Sequence, residues 1–421
     1  MKKNVWIFNH YAEPPQYETR VRNNMMAKYL MQAGYDVTIF GASTIHNTNI
    51  NLITDGSPYI RREYDGLKFV HIKAPDYTGN GLSRKLNLLL FPFHLWQVTR
   101  KLGEKPDVIV NDLDVMAMSF PFWIAHHFRV PIITEVRDLW PESLIEFGYL
   151  KRNSLLARFL YQVEKRMYLR SDSIVFSMDG GYDYIRERNW EKSIPRSKVE
   201  FINNGVDLAQ FDYNKEHFRV EDPDLDDPST FKAIYTGSIR PANNPDLLID
   251  CAKYLLPYPD IRLLIYGGGE NLDELRQTCE TQGLTNCIFK GSVPKKNIPY
   301  ILSKGDLNLL NYDLKSIGVF KYGSSQNKLF DYMASGRPIL SNVSIAYSLI
   351  QKYHCGQDDT LPDAKAYANA VLKFYHMDAA ACRTMGANAR RAAEDYDFKR
   401  LTEKLIAVIE NIPEKQPSRI S

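Results

Sequence analysis

Apolar residues in this chain arrive in short runs, and between the runs they recur every third or fourth position. Val5-Trp6-Ile7-Phe8 is the first run and predicts a strand over Val5–Asn9. From Thr19 to Ala33 the spacing turns helical, with Val21, Met25 and Leu30 on one side, and Gly34 ends the helix. Asp36–Phe40 reads as the next strand, followed by strands at Leu67–Ile72, Asp107–Val110, Pro131–Glu135, Ser173–Ser177 and Val199–Ile202. Strands that alternate with helices predict a parallel, doubly wound sheet. Its ligand crevice would lie beyond the carboxyl ends of the strands.

Residues 212–230 interrupt this rhythm. Acidic side chains crowd Glu221-Asp222-Pro223-Asp224-Leu225-Asp226-Asp227-Pro228, and two prolines forbid a regular ladder, so an exposed junction segment is expected. Alternation then resumes with a strand at Lys232–Thr236, a helix from Asp246 to Leu256, and a strand at Ile261–Tyr266. A helix from Asn271 to Gln282 and strands at Asn286–Lys290, Asp306–Asn311 and Pro338–Ser341 follow, with a last helix from Phe398 to Ile409. The expected fold class is α/β, with two Rossmann-like doubly wound domains facing a central cleft. The first takes residues 1–205 and the second 206–390. A C-terminal helix within 391–412 packs back across the junction, and a frayed polar tail spans 413–421.

Two domains also suit a length of 421 residues. A hydrophobic share of 44% against 24% charged belongs to a soluble globular protein. A net charge of +3 leaves no footprint for nucleic acid, and the 26 tyrosines form no stacking motif. The five cysteines, Cys251, Cys279, Cys287, Cys355 and Cys382, include no CxxC pair, which fits reduced cytosolic thiols better than a disulfide framework or a zinc site. Four apolar residues after Asn4 are too few for a signal peptide, and no apolar run reaches the length of a membrane span. A cytoplasmic protein is expected.

Candidate chemistry concentrates in a few turns. Between Lys321 and Leu340 a Gly323-Ser324-Ser325 turn enters a short helix with Leu329, Phe330 and Met333 on its apolar side, ending at Gly336. Open backbone N–H groups at that helix start, beside Lys328, form a phosphate site, and Asp331 falls on the same helix face three residues on. A serine-capped surface helix would share this pattern. In Tyr235-Thr236-Gly237-Ser238-Ile239-Arg240, Gly237 would admit close backbone approach and Arg240 could grip a diphosphate. Gly267-Gly268-Gly269 does not complete a GxGxxG fingerprint, which disfavours a nicotinamide dehydrogenase. In the first half, Glu135, Asp138 and Glu142 crowd around Arg137 at a strand's carboxyl end, and His10 follows another strand. Asp112-Leu113-Asp114 has a DxD form but reads as a loop away from the phosphate site, so no metal is expected. Arg84–Lys101 and Tyr149–Arg170 combine basic, aromatic and aliphatic residues as interfacial segments do, a composition that amphipathic core helices share.

Taken in order, these segments resemble the family 4 retaining glycosyltransferases of the GT-B fold. The second half matches through Phe201–Asp207, Tyr235–Arg240, Ile265–Glu270, Phe289–Val293 and Lys328–Pro338. The first half is similar to the bacterial surface-polysaccharide branch through Asn9-His10-Tyr11 and Glu135–Leu144. The resemblance implies a nucleotide-sugar donor, with UDP favoured, and a lipid-linked or saccharide acceptor in capsule, O-antigen or exopolysaccharide assembly. A sugar-nucleotide epimerase or hydrolase on the same two-domain fold is the alternative. It further implies that Gly237, Arg240, Val293, Ser324, Asn327, Lys328 and Asp331 bind donor, with Asp331 on the ribose hydroxyls and the backbone around Val293 facing the base. Asp138, Arg137 and His10 would serve catalysis. No cofactor and no metal is implied, and contact with an anionic membrane surface is compatible with it. The chain departs from the family pattern at Gly323, where relatives often carry an acid, at Ser238 and Asn243, where they carry arginine and lysine, and at Arg137, where many carry histidine.

Overall fold

The computed structural model describes residues 3–17, 21–46, 48–77, 79, 81–112, 119–269 and 271–413, the side chains of 242, 315–317 and 319 excepted. The chain divides into two units, Met1–Asn203 with Phe398–Ser421, and Asn204–Asp397. The first unit therefore closes with the last helix of the chain.

In the first unit the chain runs β1 (Asn4–Phe8), α1 (Arg22–Gln32), β2 (Asp36–Ala42), β3 (Tyr59–Tyr64), β4 (Leu67–Ile72), α2 (Leu82–Thr99) and β5 (Val108–Asp112). It continues through α3 (Phe120–Phe128), β6 (Ile132–Val136), α4 (Glu142–Glu146), α5 (Leu155–Arg170), β7 (Ser173–Phe176), α6 (Gly181–Glu187) and β8 (Val199–Phe201). The sheet order is β3-β4-β2-β1-β5-β6-β7-β8. Neighbours are parallel except β3 and β4, an antiparallel edge hairpin that departs from the all-parallel expectation. Its strand Tyr-Ile-Arg-Arg-Glu-Tyr is largely exposed and carries no apolar run, so no hydrophobic signal marks it. Of the expected first helix, Thr19 lies outside the described residues.

Two helices differ from their sequence outlines. α2 passes through Pro92 without division, because Phe91, Leu95 and Val98 are buried and hold the helix on both sides of the missing hydrogen bond. α5 begins six residues later than Tyr149, after a turn through Gly148 (φ 77°), where the Ser154 hydroxyl caps the Ala157 N–H at 3.1 Å.

The second unit opens with α7 (Leu208–His217) and α8 (Pro223–Asp226), then β9 (Phe231–Thr236), α9 (Pro245–Leu255), β10 (Ile261–Tyr266), α10 (Leu272–Thr281), β11 (Cys287–Gly291) and α11 (Ile298–Lys304). It ends with β12 (Leu307–Leu310), α12 (Asn327–Ala334), β13 (Ile339–Ser341), α13 (Leu349–Tyr353), β14 (Gly356–Asp358), α14 (Ala364–Tyr375) and α15 (Ala379–Asp395); α16 (Phe398–Asn411) returns to the first unit. Its six-stranded sheet has the order β11-β10-β9-β12-β13-β14 and is parallel throughout. The boundary expected at 391 falls inside α15. That helix packs through small residues, Gly386, Ala389, Ala392 and Ala393, which give a weak hydrophobic signal.

The acidic stretch 212–230 is largely exposed or half-buried but is tied down at several points. Leu225 is buried, and Asp222 caps α8 while accepting from the Tyr266 hydroxyl (2.7 Å) and pairing with Lys290 (2.5 Å). Lys290 also meets Asp224, and Lys304 meets Asp226 at 3.2 Å. The neutralising cations come from β11 and α11, more than sixty positions away, where local reading cannot see them.

A buried ion pair organises the first unit. Arg22, 1% exposed at the start of α1, meets Glu135 of β6 at 2.8 Å and donates to the Ile202 carbonyl at 3.0 Å and to that of Asn203. One guanidinium thus joins α1, β6 and the exit of β8, its donors spread over three acceptors. Removing it would leave Glu135 buried and unpaired. Arg22→Ala is expected to lose about 3–5 kcal/mol of stability in urea unfolding, the usual cost of breaking a buried pair. A loss below about 1 kcal/mol, the range of exposed pairs, would show that solvent reaches Glu135 freely.

Candidate functional site

Each sheet reverses its strand order once, and a doubly wound sheet offers its ligand crevice at that reversal. In the second unit the reversal lies between β9 and β12. Their pairing covers only Ala233 with Leu307 and Ile234 with Asn308, so the carboxyl ends part. The Tyr332 hydroxyl fills the gap. It accepts from the Thr236 N–H at 3.0 Å and sits 3.2 Å from the Leu309 carbonyl, which fastens α12 across the two strands.

One helical turn before Tyr332, Lys328 reaches the same gap. Its ammonium lies 3.1 Å from the Tyr235 hydroxyl, 3.2 Å from Asn243 Oδ1 and 4.6 Å from the centre of the Tyr235 ring. No carboxylate among the described residues pairs with it. Burial alone pushes its pKa down to about 7. Gly237 lies against this ammonium, and a Cβ there would come within 3.2 Å of Nζ at a backbone φ of 147°. The turn is fixed from below. Asn243 donates to the Ser238 carbonyl (2.8 Å), and Asn311 donates to the carbonyls of Asn243 and Asn244 (both 2.7 Å).

The three glycines after β10 serve this turn. The Gly237 N–H donates to the Tyr266 carbonyl and the Ile239 N–H to the Gly268 carbonyl, both at 2.9 Å. A Cβ at Gly267 would fall 1.8 Å from the Gly237 carbonyl oxygen, and one at Gly269 would fall 1.8 Å from that of Ile239. A Cβ at Gly268 would strike the Ser292 hydroxyl, next to the half-buried Val293. The loops after β9, β10 and β11 therefore meet, backbone to backbone.

α12 begins without a side-chain cap and with no acid in its first turn, so its leading amides are open to an anion. Ser324 is buried just ahead of it, and the Asn327 Oδ1 and Gln326 Oε1 atoms are buried without a hydrogen-bond partner. Asp331 stands three residues beyond Lys328. Burial pushes its carboxyl above the usual range, against the pull of Lys295. Arg240, by contrast, is exposed; its carbonyl accepts from the Asn243 N–H at 2.9 Å, but its side chain makes no hydrogen bond or ion pair with a described residue. Sequence reading assigned nothing to Tyr235, Asn243 or Tyr332. Tyr235 opens the quoted turn and Asn243 lies three residues beyond its end, but only the fold shows their polar atoms facing Lys328.

In the first unit the reversal lies between β1 and β5. Just beyond it, Asp112 Oδ2 accepts from Asn9 Nδ2 at 2.7 Å and pairs with Arg137 Nη1 at 3.1 Å. Burial, with Glu135 and Asp138 adding and Arg137 opposing, pushes the Asp112 carboxyl up to about 6. Against burial, Arg22 and then Arg137 hold the Glu135 carboxyl below its ordinary range. Asp138 is exposed and makes no bond to a described residue.

His10, just beyond the end of β1, is enclosed. It is buried behind Tyr11 and Phe91, and its Nε2 lies 2.5 Å from Asn87 Oδ1. The Asn87 amide donates to Thr44, which leaves Oδ1 to accept from the His10 N–H. Burial, opposed by the Asn87 bond and aided by Arg84, pushes the imidazole down to about 4. Through that bond the ring ties the end of β1 to α2, and its Nδ1 is buried without a hydrogen-bond partner. Of the DxD tripeptide only Asp112 lies within the described residues, and it stands at the reversal rather than in an outlying loop.

Residues 19–205 match the glycosyl transferase 4-like domain, and residues 222–392 match the glycosyl transferases group 1 family. None of the curated protein sequences matches the chain. Among solved structures, sucrose-phosphate synthase from Thermosynechococcus elongatus is similar at a TM-score of 0.71 and 15% identity, over 97% of this chain and 98% of that one. A UDP-forming α,α-trehalose-phosphate synthase from Burkholderia xenovorans is similar at 0.71 and 13%, over 98% and 99%. Anabaena HepE in complex with UDP-glucose is similar at 0.64 and 13%, over 97% and 99%.

The Lys328 environment makes a stability prediction. Its pKa is near 7 when folded and about 10.4 when unfolded. Between these values the unfolded chain binds more protons, so this group's contribution rises with pH across that window. Lys328→Met is expected to raise the melting temperature at pH 7, with the gain shrinking toward pH 10. A gain constant from pH 7 to 10 would mean that Lys328 titrates as if in water.

Proposed function

The chain is a family 4 glycosyltransferase of the GT-B fold, and we propose that it moves a sugar from a nucleotide sugar, a UDP-sugar, to a lipid-linked or saccharide acceptor. The observation that carries this reading is Lys328, a partly buried ammonium at the sheet reversal with neutral oxygens around it. A diphosphate would supply the missing countercharge, and the open amides of α12 add to it. Gly237 leaves room for close approach, Asp331 meets the ribose hydroxyls, and the backbone around Val293 meets the base. The UDP-glucose complex of the structurally similar HepE supports the choice of UDP.

Transfer proceeds with retention and without a metal. The C1–O bond to the diphosphate breaks while the acceptor oxygen attacks from the same face. The leaving phosphate oxygen takes the acceptor proton, and Lys328 with the helix amides stabilises its charge. Preorganised donors of this kind are worth about 3–4 kcal/mol each. The product feeds polysaccharide assembly at the cytoplasmic membrane face. A sugar-nucleotide epimerase would use the same nucleotide contacts but release or rearrange the sugar with no acceptor.

Membrane contact is part of this reading. No helix among the described residues is long and apolar enough to cross a membrane. On α2, Leu82, Leu86, Leu89 and Phe93 form an exposed stripe at helical spacing. Around α5, Tyr149 (81% exposed), Leu155 (82%), Leu156 and Phe159 stand among the exposed Lys151, Arg152, Arg158 and Arg166. Apolar side chains rimmed by cations suit an anionic bilayer surface.

Product analysis with a panel of nucleotide sugars and a lipid-linked acceptor, EDTA present, tests the reaction. Acceptor-dependent release of UDP is expected, and release without acceptor would favour the epimerase. Lys328→Ala should weaken UDP binding by about 1–3 kcal/mol, as for other charge-assisted contacts, and Asp331→Ala should weaken it too. Unchanged affinity in both variants would remove this site. Sedimentation with anionic vesicles should retain the protein in a salt-sensitive way, at about 1 kcal/mol per basic residue near the surface. Leu155→Glu with Phe159→Glu should lower retention; equal recovery with neutral and anionic vesicles would count against a membrane role.

A further inference from the structure

We propose that Asp112 is the residue that receives the acceptor, its Oδ1 accepting a hydrogen bond from the saccharide hydroxyl that becomes glycosylated. This rests on the glycosyltransferase reading above and adds to it the acceptor end of the reaction.

Position is the first argument. Asp112 is the last residue of β5, beside β1 at the strand reversal, where a doubly wound sheet presents ligands. Preorganisation is the second. Asn9 Nδ2 (2.7 Å) and Arg137 Nη1 (3.1 Å) both engage Oδ2, so the carboxylate is held from two neighbouring strand ends. Oδ1 makes no hydrogen bond to a described residue, and the side chain keeps 21% of its surface exposed. An ionised carboxylate only accepts hydrogen bonds, which fits a hydroxyl donor. The neighbouring acid Asp138 lacks such support. It is exposed and unattached, so holding a substrate would cost it side-chain order.

Asp112 orients the hydroxyl in the ground state. As the C1–O bond to the diphosphate breaks, the O–H turns from Oδ1 to the leaving phosphate oxygen, so Asp112 does not keep its proton. The acceptor oxygen forms the new bond to C1, the bond from C1 to the diphosphate breaks, and the proton leaves on the released diphosphate. The charged groups facing Asp112 are Glu135, Arg137 and Asp138 from the end of β6, with Arg22 of α1 behind Glu135, while β1 contributes the neutral Asn9. With its carboxyl near 6, Asp112 is a full acceptor above that pH and loses this capacity below it.

The test compares wild type with Asp112→Asn, Asp112→Glu and Asp138→Asn, using a UDP-sugar and a synthetic lipid diphosphate-linked monosaccharide. Asp112→Asn should raise KM for the acceptor by about 10- to 100-fold, the loss of a hydrogen bond to a charged group. UDP affinity and melting temperature should stay near wild type. Wild-type kcat/KM for the acceptor should fall as pH drops through about 6, and the variant should lack this limb. Asp112→Glu, which keeps the charge, should retain the limb with a raised KM, and it serves if the Asn variant fails to fold. Wild-type acceptor kinetics in Asp112→Asn, or a large acceptor effect in Asp138→Asn alone, would overturn the assignment. Activity lost to EDTA and restored by Mn²⁺, with that response gone in Asp112→Asn, would make Asp112 a metal ligand instead. Absence of any UDP-sugar turnover in wild type would overturn the functional reading itself, and this inference with it.

Discussion

The chemistry of the second unit depends on a gap between two strands. β9 and β12 pair for two residues and then part, leaving backbone groups at Thr236 and Leu309 that neither strand can satisfy for the other. The Tyr332 hydroxyl satisfies them, and because buried backbone groups must be paired, α12 has no other stable seat. Lys328 follows from that seat. It lies four residues earlier on the same helix face, so the turn that fills the gap also delivers an ammonium to Gly237.

The two units treat buried charge in opposite ways. In the first, Arg22 answers Glu135 and Arg137 answers Asp112, so positions and charges are settled within the protein. In the second, Lys328 has hydroxyl and amide oxygens but no carboxylate, and burial depresses its basicity. A cation left this way costs stability unless something anionic arrives. Binding sites commonly carry such a cost, and its location is more informative than its size.

Local pattern revealed the strands of both sheets because the inner ones are apolar runs; Ile261–Tyr266 appears as outlined. It missed what lacks such runs, among them the exposed β3, the three-residue β14 and the alanine-rich α15. The same limit applies to the site. Lys328, Asp331 and Gly237 were visible because helix starts and glycine turns have local signatures. Tyr235, Asn243 and Tyr332 matter through contacts across 85 to 96 positions, which no window of sequence contains. His10 shows the same limit from the other side. Its place after a strand suggested reactivity, but Asn87 and Phe91 on α2 enclose it. The DxD tripeptide reads as a loop, and only the fold shows that Asn9 and Arg137 both engage the Asp112 carboxylate.

The first unit includes α16, whose Leu401, Leu405 and Ile409 are buried and whose Thr402 hydroxyl meets Met26 Sδ of α1 at 3.2 Å. That helix is synthesised only after the whole of Asn204–Asp397, a continuous unit that needs nothing downstream of itself. At a ribosomal pace of about 5–20 residues per second, α1, which ends at Gln32, waits roughly 20–75 seconds for α16 to be complete at Asn411. Through that interval Met26, Ala27 and Leu30, all buried in the finished fold, have no α16 to pack against. The second unit, though later in the chain, can complete itself first. A nascent chain can thus complete its second unit while the first still presents an apolar seam, the point at which a chaperone would find a handhold.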